Sequence, residues 1–204
     1  MPATEDIRQS RWWKEKVSPL IEGDADTRVF IIATSGRLDI AGHAVRTLRG
    51  AGFQPEIAEG LDDVEEELEF SMEFPNILAV VNSVGTAIEA IMLLARRRAL
   101  EGQRPIPPLP KVAVIVEAQH LRGQFARVVK DVYRYSDSIH PAEHIAEDDL
   151  LSELMLRAVG MLTIARDRET YAQAISDNAG PNLSEPGRNP DRGLGLELGG
   201  LDLS

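Results

Sequence analysis

The apolar positions along the chain follow two alternating rhythms. Continuous apolar runs, RVFIIA at 28–33, NILAVV at 76–81 and KVAVIV at 111–116, read as strands buried on both faces. Each gives way to a few polar or small residues and then to a helical period. Residues 38–51 place Ile40, Ala41, Ala44, Val45 and Leu48 on one face, and Gly50 and Gly52 stop the helix. Residues 53–58 predict a short second strand. Residues 61–72 predict an acidic helix with Val64, Leu68 and Met72 on one stripe, its carboxylates forming a solvated face. After the run at 76–81 the period changes at Ala87. Ile88, Ile91, Met92 and Ala95 then fall at helical spacing, and Arg96, Arg97 and Arg98 close the helix where cations suit the dipole. The proline-rich stretch 101–110 is an extended loop, since proline cannot continue a helix. Phe125, Val128, Val129 and Val132 predict a further helix, and residues 138–140 a short fifth strand. A last helix runs from 143 or 148 to 165. It carries Leu150, Leu151, Leu154, Leu156, Val159, Met161 and Leu162 on more than one side, which offers an interface for a homodimer.

Strands alternating with helices through short connections imply right-handed crossovers. The expected fold is α/β: three layers around a mostly parallel five-stranded sheet, Rossmann-like or flavodoxin-like, with a disordered C-terminal tail. The boundaries expected are an N-terminal extension at 1–27, the α/β domain at 28–166 and a flexible tail at 167–204. In the extension, Ile7, Trp12, Trp13, Val17, Leu20 and Ile21 suit one short amphipathic helix, with Pro19 as a point of breakage. The paired tryptophans are expected to pack back onto the domain, with docking on a partner as the alternative. The tail is rich in Gly, Pro, Asn and Asp, so it is expected to be solvated, with its leucine-bearing end, GLGLELGGLDLS, as an alternative docking peptide.

Composition narrows the function. The chain has 204 residues, 43% hydrophobic and 27% charged, enough for one domain of about 140–150 residues with extensions. A formal charge of −11 lacks the basic footprint of general nucleic-acid binding, but leaves room for a local nucleotide pocket. With no cysteine there is no disulfide, thiolate metal site or cysteine nucleophile, and with only four histidines a His-based metal site is unexpected. No apolar run reaches about 18 residues and the first residues lack an apolar signal core, so the expected location is cytoplasmic, with no membrane partner.

The chemistry-bearing positions lie where each strand ends. They are Thr34, Ser35 and Gly36 after strand one, and Asn82, Ser83, Gly85, Thr86 and Glu89 after strand three. Glu117 and His120 follow strand four, and His140 is expected to follow strand five. In an open α/β sheet ligands settle over these ends, where helix N-termini offer unpaired N–H groups to anions. Gly85 allows close approach, Ser83 and Thr86 offer hydroxyls, and Glu89 puts a carboxylate one turn in. Phosphate-loop, dinucleotide-binding and nucleophile-elbow fingerprints are absent, so no cofactor is expected. Ser83 can also serve as nothing more than a helix cap.

NSVGTAIEA (82–90), between strand and helix, resembles the Gly-Thr-x-x-Glu signature of the nucleoside deoxyribosyltransferase-like and lysine-decarboxylase-like (SLOG) superfamily of nucleotide-binding domains. That resemblance implies a nucleotide or nucleotide-derived ligand, with Gly85 and Thr86 on phosphate or sugar. It also implies Glu89 as the group that assists N-glycosidic cleavage. The alternation of strands and helices also resembles that of a response-regulator receiver domain, although its functional positions mostly differ here. There the acidic pair would be Ala33-Thr34, the phospho-acceptor Val81 or Asn82, the threonine Glu117 and the lysine His140 before Pro141. Such a domain holds neither Mg²⁺ nor a phosphoryl group, which implies a degenerate receiver acting as a protein-interaction or regulatory module. The positive match at Gly85, Thr86 and Glu89 puts the nucleotide reading first.

Overall fold

The computed structural model describes residues 6–23, 25–33, 38–58, 64–81, 84–101, 109–121 and 136–178. Five expected features therefore lie outside the described residues. These are the loop residues 34–36 and 82–83, the proline-rich 102–108, the helical pattern at 125–132 and the tail beyond 178. The chain divides into two compact units, Met1–Glu169 and Thr170–Ser204. The first unit holds the sheet and its cores. Of the second, only residues 170–178, a helix end, are described, and of 171–178 only the backbone.

Five strands form one parallel sheet: β1 (Arg28–Ala33), β2 (Gln54–Ile57), β3 (Asn76–Val81), β4 (Lys111–Glu117) and β5 (Ser138–Ala142). Their order is β2-β1-β3-β4-β5, and every pairing is parallel. The expected α/β class is therefore observed, with the flavodoxin-like order. The order reverses between β1 and β3, the place where such sheets open a crevice.

The two-residue period of the strands separates two cores. Val29, Ile31, Leu78, Val80, Ala113 and Ile115 face one side, packed by α2 (Leu38–Arg49), α5 (Asp149–Asn178) and the N-terminal segment. Phe30, Ile32, Ile77, Ala79, Val81, Val112, Val114 and Val116 face the other, packed by α3 (Val64–Ser71) and α4 (Val84–Glu101). Continuous apolar runs are thus required because neither face meets water.

The N-terminal residues belong to the first core. Ile7, Trp13 and Val17 are buried, and Trp12 packs against the same cluster. The Trp13 ring meets Phe53 edge-on, centroids 6.4 Å apart. Pro19 does not break this helix. It stands in the first turn of α1 (Ser18–Glu22), and the preceding Trp13–Val17 widens into a π-turn. Proline has no N–H and its ring crowds the carbonyl four residues back, so the wider turn accommodates it.

Two helices differ from their expected phase or length. α4 starts at Val84 instead of Ala87, and its buried face is Thr86, Ala87, Ala90, Leu93 and Leu94. Ile88 and Met92, on the apolar stripe the period marks out, are exposed. α5 continues well past 165, because the charged residues after Ala165 are good helix formers although the apolar period has faded. Among the described residues no helix is long and apolar enough to cross a membrane.

The free side of β2 is blunted. Gln54 and Ala58 donate their amides to Thr27 and Ile31, so the alternation turns residues 55 and 57 toward the open edge, and Pro55 has no N–H to offer there.

Candidate functional site

Register places the carboxyl ends of the strands. Ala33, Val80, Ile115 and His140 share one row across the sheet, and Val81, Val116 and Pro141 the next. α4 leaves from this edge beside the β1/β3 reversal, so Gly85 and Thr86 occupy its first turn and Glu89 its second. Thr86 is fully buried. Thr34, Ser35, Gly36, Asn82 and Ser83, expected at the same edge, lie outside the described residues.

Glu89 is half-buried on the α3 side of α4. Burial pushes its carboxyl up from 4.5 to about 7, and the nearby Glu67 carboxylate of α3 adds to the rise. Such a group is divided between acid and base near neutrality, which suits proton transfer. In the sequence Glu67 is only one member of a solvated acidic face. In the fold it also lines a cavity of about 590 Å³ together with Phe30, Arg49, Ile57, Glu66 and Phe70. Phe70 is 42% exposed and packs edge-on against Phe30. Neither α3 residue has a signal of its own, because nothing in an acidic stretch distinguishes the carboxylate that will face another helix.

Glu117 and His140 turn to the opposite side of the sheet. Glu117 is 5% exposed and accepts hydrogen bonds from Gln119 Nε2 (2.6 Å) and the Ile145 amide (3.3 Å), with His144 Nδ1 at 2.7 Å. Burial raises its carboxyl, but these partners outweigh that and hold it below the ordinary glutamate value. It ties the end of β4 to the segment before α5. His140 sits level with Ala33 in the sheet with Nε2 3.2 Å from Ser138 Oγ, and burial, then Arg157, lower its pKa. Of His120 only the backbone is described, in a short 3-10 turn, Ala118–Leu121. The structure thus groups Gly85, Thr86 and Glu89, adds Glu67, and separates Glu117 and His140 from them. No group of three or more acidic or histidine side chains capable of holding a metal occurs among the described residues.

The raised Glu89 has a consequence for stability. The folded state holds this proton more tightly than the unfolded chain, so the contribution is complete below 4.5 and is lost as pH rises to about 7. Glu89→Gln is therefore expected to match the parent near pH 4. At pH 8 it should be more stable by about 1–2 kcal/mol, a melting point roughly 2–6 °C higher, after allowance for the group's partial exposure. Melting curves across that range check it; a constant offset between the two proteins would count against a buried, titrating Glu89.

No protein-family model matches the chain, and no curated protein matches it. Solved structures similar to it include diflavin flavoprotein A3 from Nostoc sp., at 10% identity over 74% of this chain and 99% of that one, TM-score 0.45. A response regulator from Thermotoga maritima matches at 16% identity over 65% of this chain and 96% of that one, TM-score 0.40. A hypothetical protein from Methanococcus jannaschii, with an inferred 3-hexulose-6-phosphate isomerase function, matches at 12% over 87% and 91%, TM-score 0.33. These likenesses are of coarse architecture and carry no argument about chemistry.

Proposed function

We propose that the chain binds a nucleotide or nucleotide derivative at the carboxyl edge of its sheet and that Glu89 assists cleavage of an N-glycosidic bond. The observation that carries the reading is the placement of Gly85, Thr86 and Glu89 on the first two turns of the helix that starts where strand order reverses. The helix start offers N–H groups to phosphate, while Gly85 lets the ligand approach. Glu89, titrating near neutrality, supplies a carboxylate as nucleophile or to orient a sugar hydroxyl. Glu67, whose charge acts on Glu89, also lines a cavity with exposed Phe70 on its wall, of a size suited to a base.

The test is a thermal-shift screen of the pure protein against nucleotides, dinucleotides and nucleosides, followed by a hydrolysis assay on any ligand that stabilises it. Gly85→Val is expected to weaken the hit. Glu89→Gln is expected to leave binding within a few fold and to lower hydrolysis by about 100-fold or more. Unchanged hydrolysis in Glu89→Gln would remove the catalytic role.

A receiver-like regulatory module is the second reading, favoured by the strand order and by what stands at the receiver positions. Ala33 and Val81 end their strands without a carboxylate, and Glu117 is engaged in tying down the segment before α5. Silence across the nucleotide panel, together with partner binding lost in variants of the α4 surface, is the outcome this reading expects.

A further inference from the structure

The outward face of α4 carries an apolar seam that stands exposed among the described residues. Ile88 is 48% and Met92 43% exposed, and Ala95 and Ala99 are exposed on the same face. Their intervals of four, three and four residues are those of a seam between two packed helices. Large residues fill its N-terminal half and small ones its C-terminal half, so a helix running the opposite way would set Ile88 against the alanines, with Met92 near the middle. The flank toward α3 carries Glu89 and, seven residues on, Arg96, which also pairs with Glu69 at 2.9 Å. In an antiparallel pair the same flanks meet, which brings Glu89 of each copy level with Arg96 of the other.

α5 lacks this self-complementarity. Leu150 and Met161 are 61% and 45% exposed, but between them stand the half-buried Leu154 and the exposed Arg157, which is paired with Glu153. The geometry points to self-association of this chain through α4, packed antiparallel against α4 of a second copy about a two-fold axis near Met92.

The chain has no cysteine, so single-cysteine variants report on the interface directly. Sedimentation of the full chain up to about 100 μM, above the Kd of a weak pair, is expected to give a dimer. Met92→Cys should form a disulfide-linked dimer under mild oxidation, and Leu150→Cys should not. Met92→Glu should be monomeric, with the parent's circular dichroism and melting behaviour. Arg96→Glu should weaken association about tenfold, and the double reversal Glu89→Arg/Arg96→Glu should recover most of it. A monomeric parent overturns the proposal. So does a dimer that survives Met92→Glu or crosslinks through Leu150→Cys, or a Met92→Cys thiol that reacts only with a cysteine placed at Val128 of its own chain.

Discussion

Asp137→Ala is expected to cost about 3–4 kcal/mol and to lower the melting temperature by roughly 8–12 °C. Asp137 stands just before β5 and ties it to two other elements, α4 and β4. Its carboxylate takes a two-pronged contact from Arg97 near the end of α4, at 2.6 and 3.2 Å. It also accepts the amide of Val112 at 2.7 Å and lies 3.7 Å from the ammonium of Lys111, at the start of β4. Arg97 and Lys111 are 11% and 13% exposed in their side chains, and Asp137 22%. Alanine would remove the carboxylate that the guanidinium of Arg97 and the ammonium of Lys111 share, leaving Lys111 its pair with Glu169, and would orphan the Val112 amide. Those losses dominate, because a charge-assisted hydrogen bond is worth more, and an unmet amide costs more, where water is largely excluded. Asp137→Asn keeps an acceptor for the amide but not the charge, so about half of the loss is expected. Urea denaturation of the three proteins at neutral pH decides the matter, and a loss below about 1 kcal/mol for Asp137→Ala would place this network among ordinary surface pairs.

None of that network is legible in the sequence. Asp137 lies in a Tyr- and Ser-rich stretch, and its partners are brought to it only by the β4–β5 pairing and the α4 crossover. The strands are legible because a sheet covered on both faces demands unbroken apolar runs, and residues 28–33, 76–81 and 111–116 have them. The phase of α4 is not. That helix is apolar nearly all round, so Ile88, Ile91, Met92 and Ala95 fit the helical period as well as Ala87, Ala90, Leu93 and Leu94 do. Small residues win the sheet side at Ala87 and Ala90, where the helix packs against the buried valines and isoleucines of the second core. For the candidate site, the placement of Gly85, Thr86 and Glu89 at a strand-to-helix turn is legible, since it follows from the change of period. The direction of the Glu89 shift is not. A helix start favours a charged carboxylate, whereas burial and Glu67, from a different helix, favour the proton.

Trp13→Ala is expected to cost about 3–5 kcal/mol, the loss of a large core aromatic, although the sequence sets residue 13 in an extension outside the domain. Its ring is 5% exposed, meets Phe53 edge-on and shares one cluster with Val17, Leu48 and Leu156. The opposing helix is shaped for this segment: a Cβ on Gly160 of α5 would lie 2.9 Å from Trp12 Cη2 and 3.1 Å from Val17 Cγ2. Gly160→Ala therefore overpacks the same contact and is expected to cost about 1–3 kcal/mol, reduced if the indole can swing aside. The two substitutions act on one piece of packing, so the double variant should lose less than their sum, by about 0.5–1 kcal/mol. Denaturant titrations of the four proteins measure this. Were residues 7–22 a detachable arm, Trp13→Ala would sit within about 1 kcal/mol of the parent and Gly160→Ala would be neutral. A large, sub-additive pair of losses instead makes the N-terminal helix a third cover of the α2/α5 face, without which the first core stands open to water.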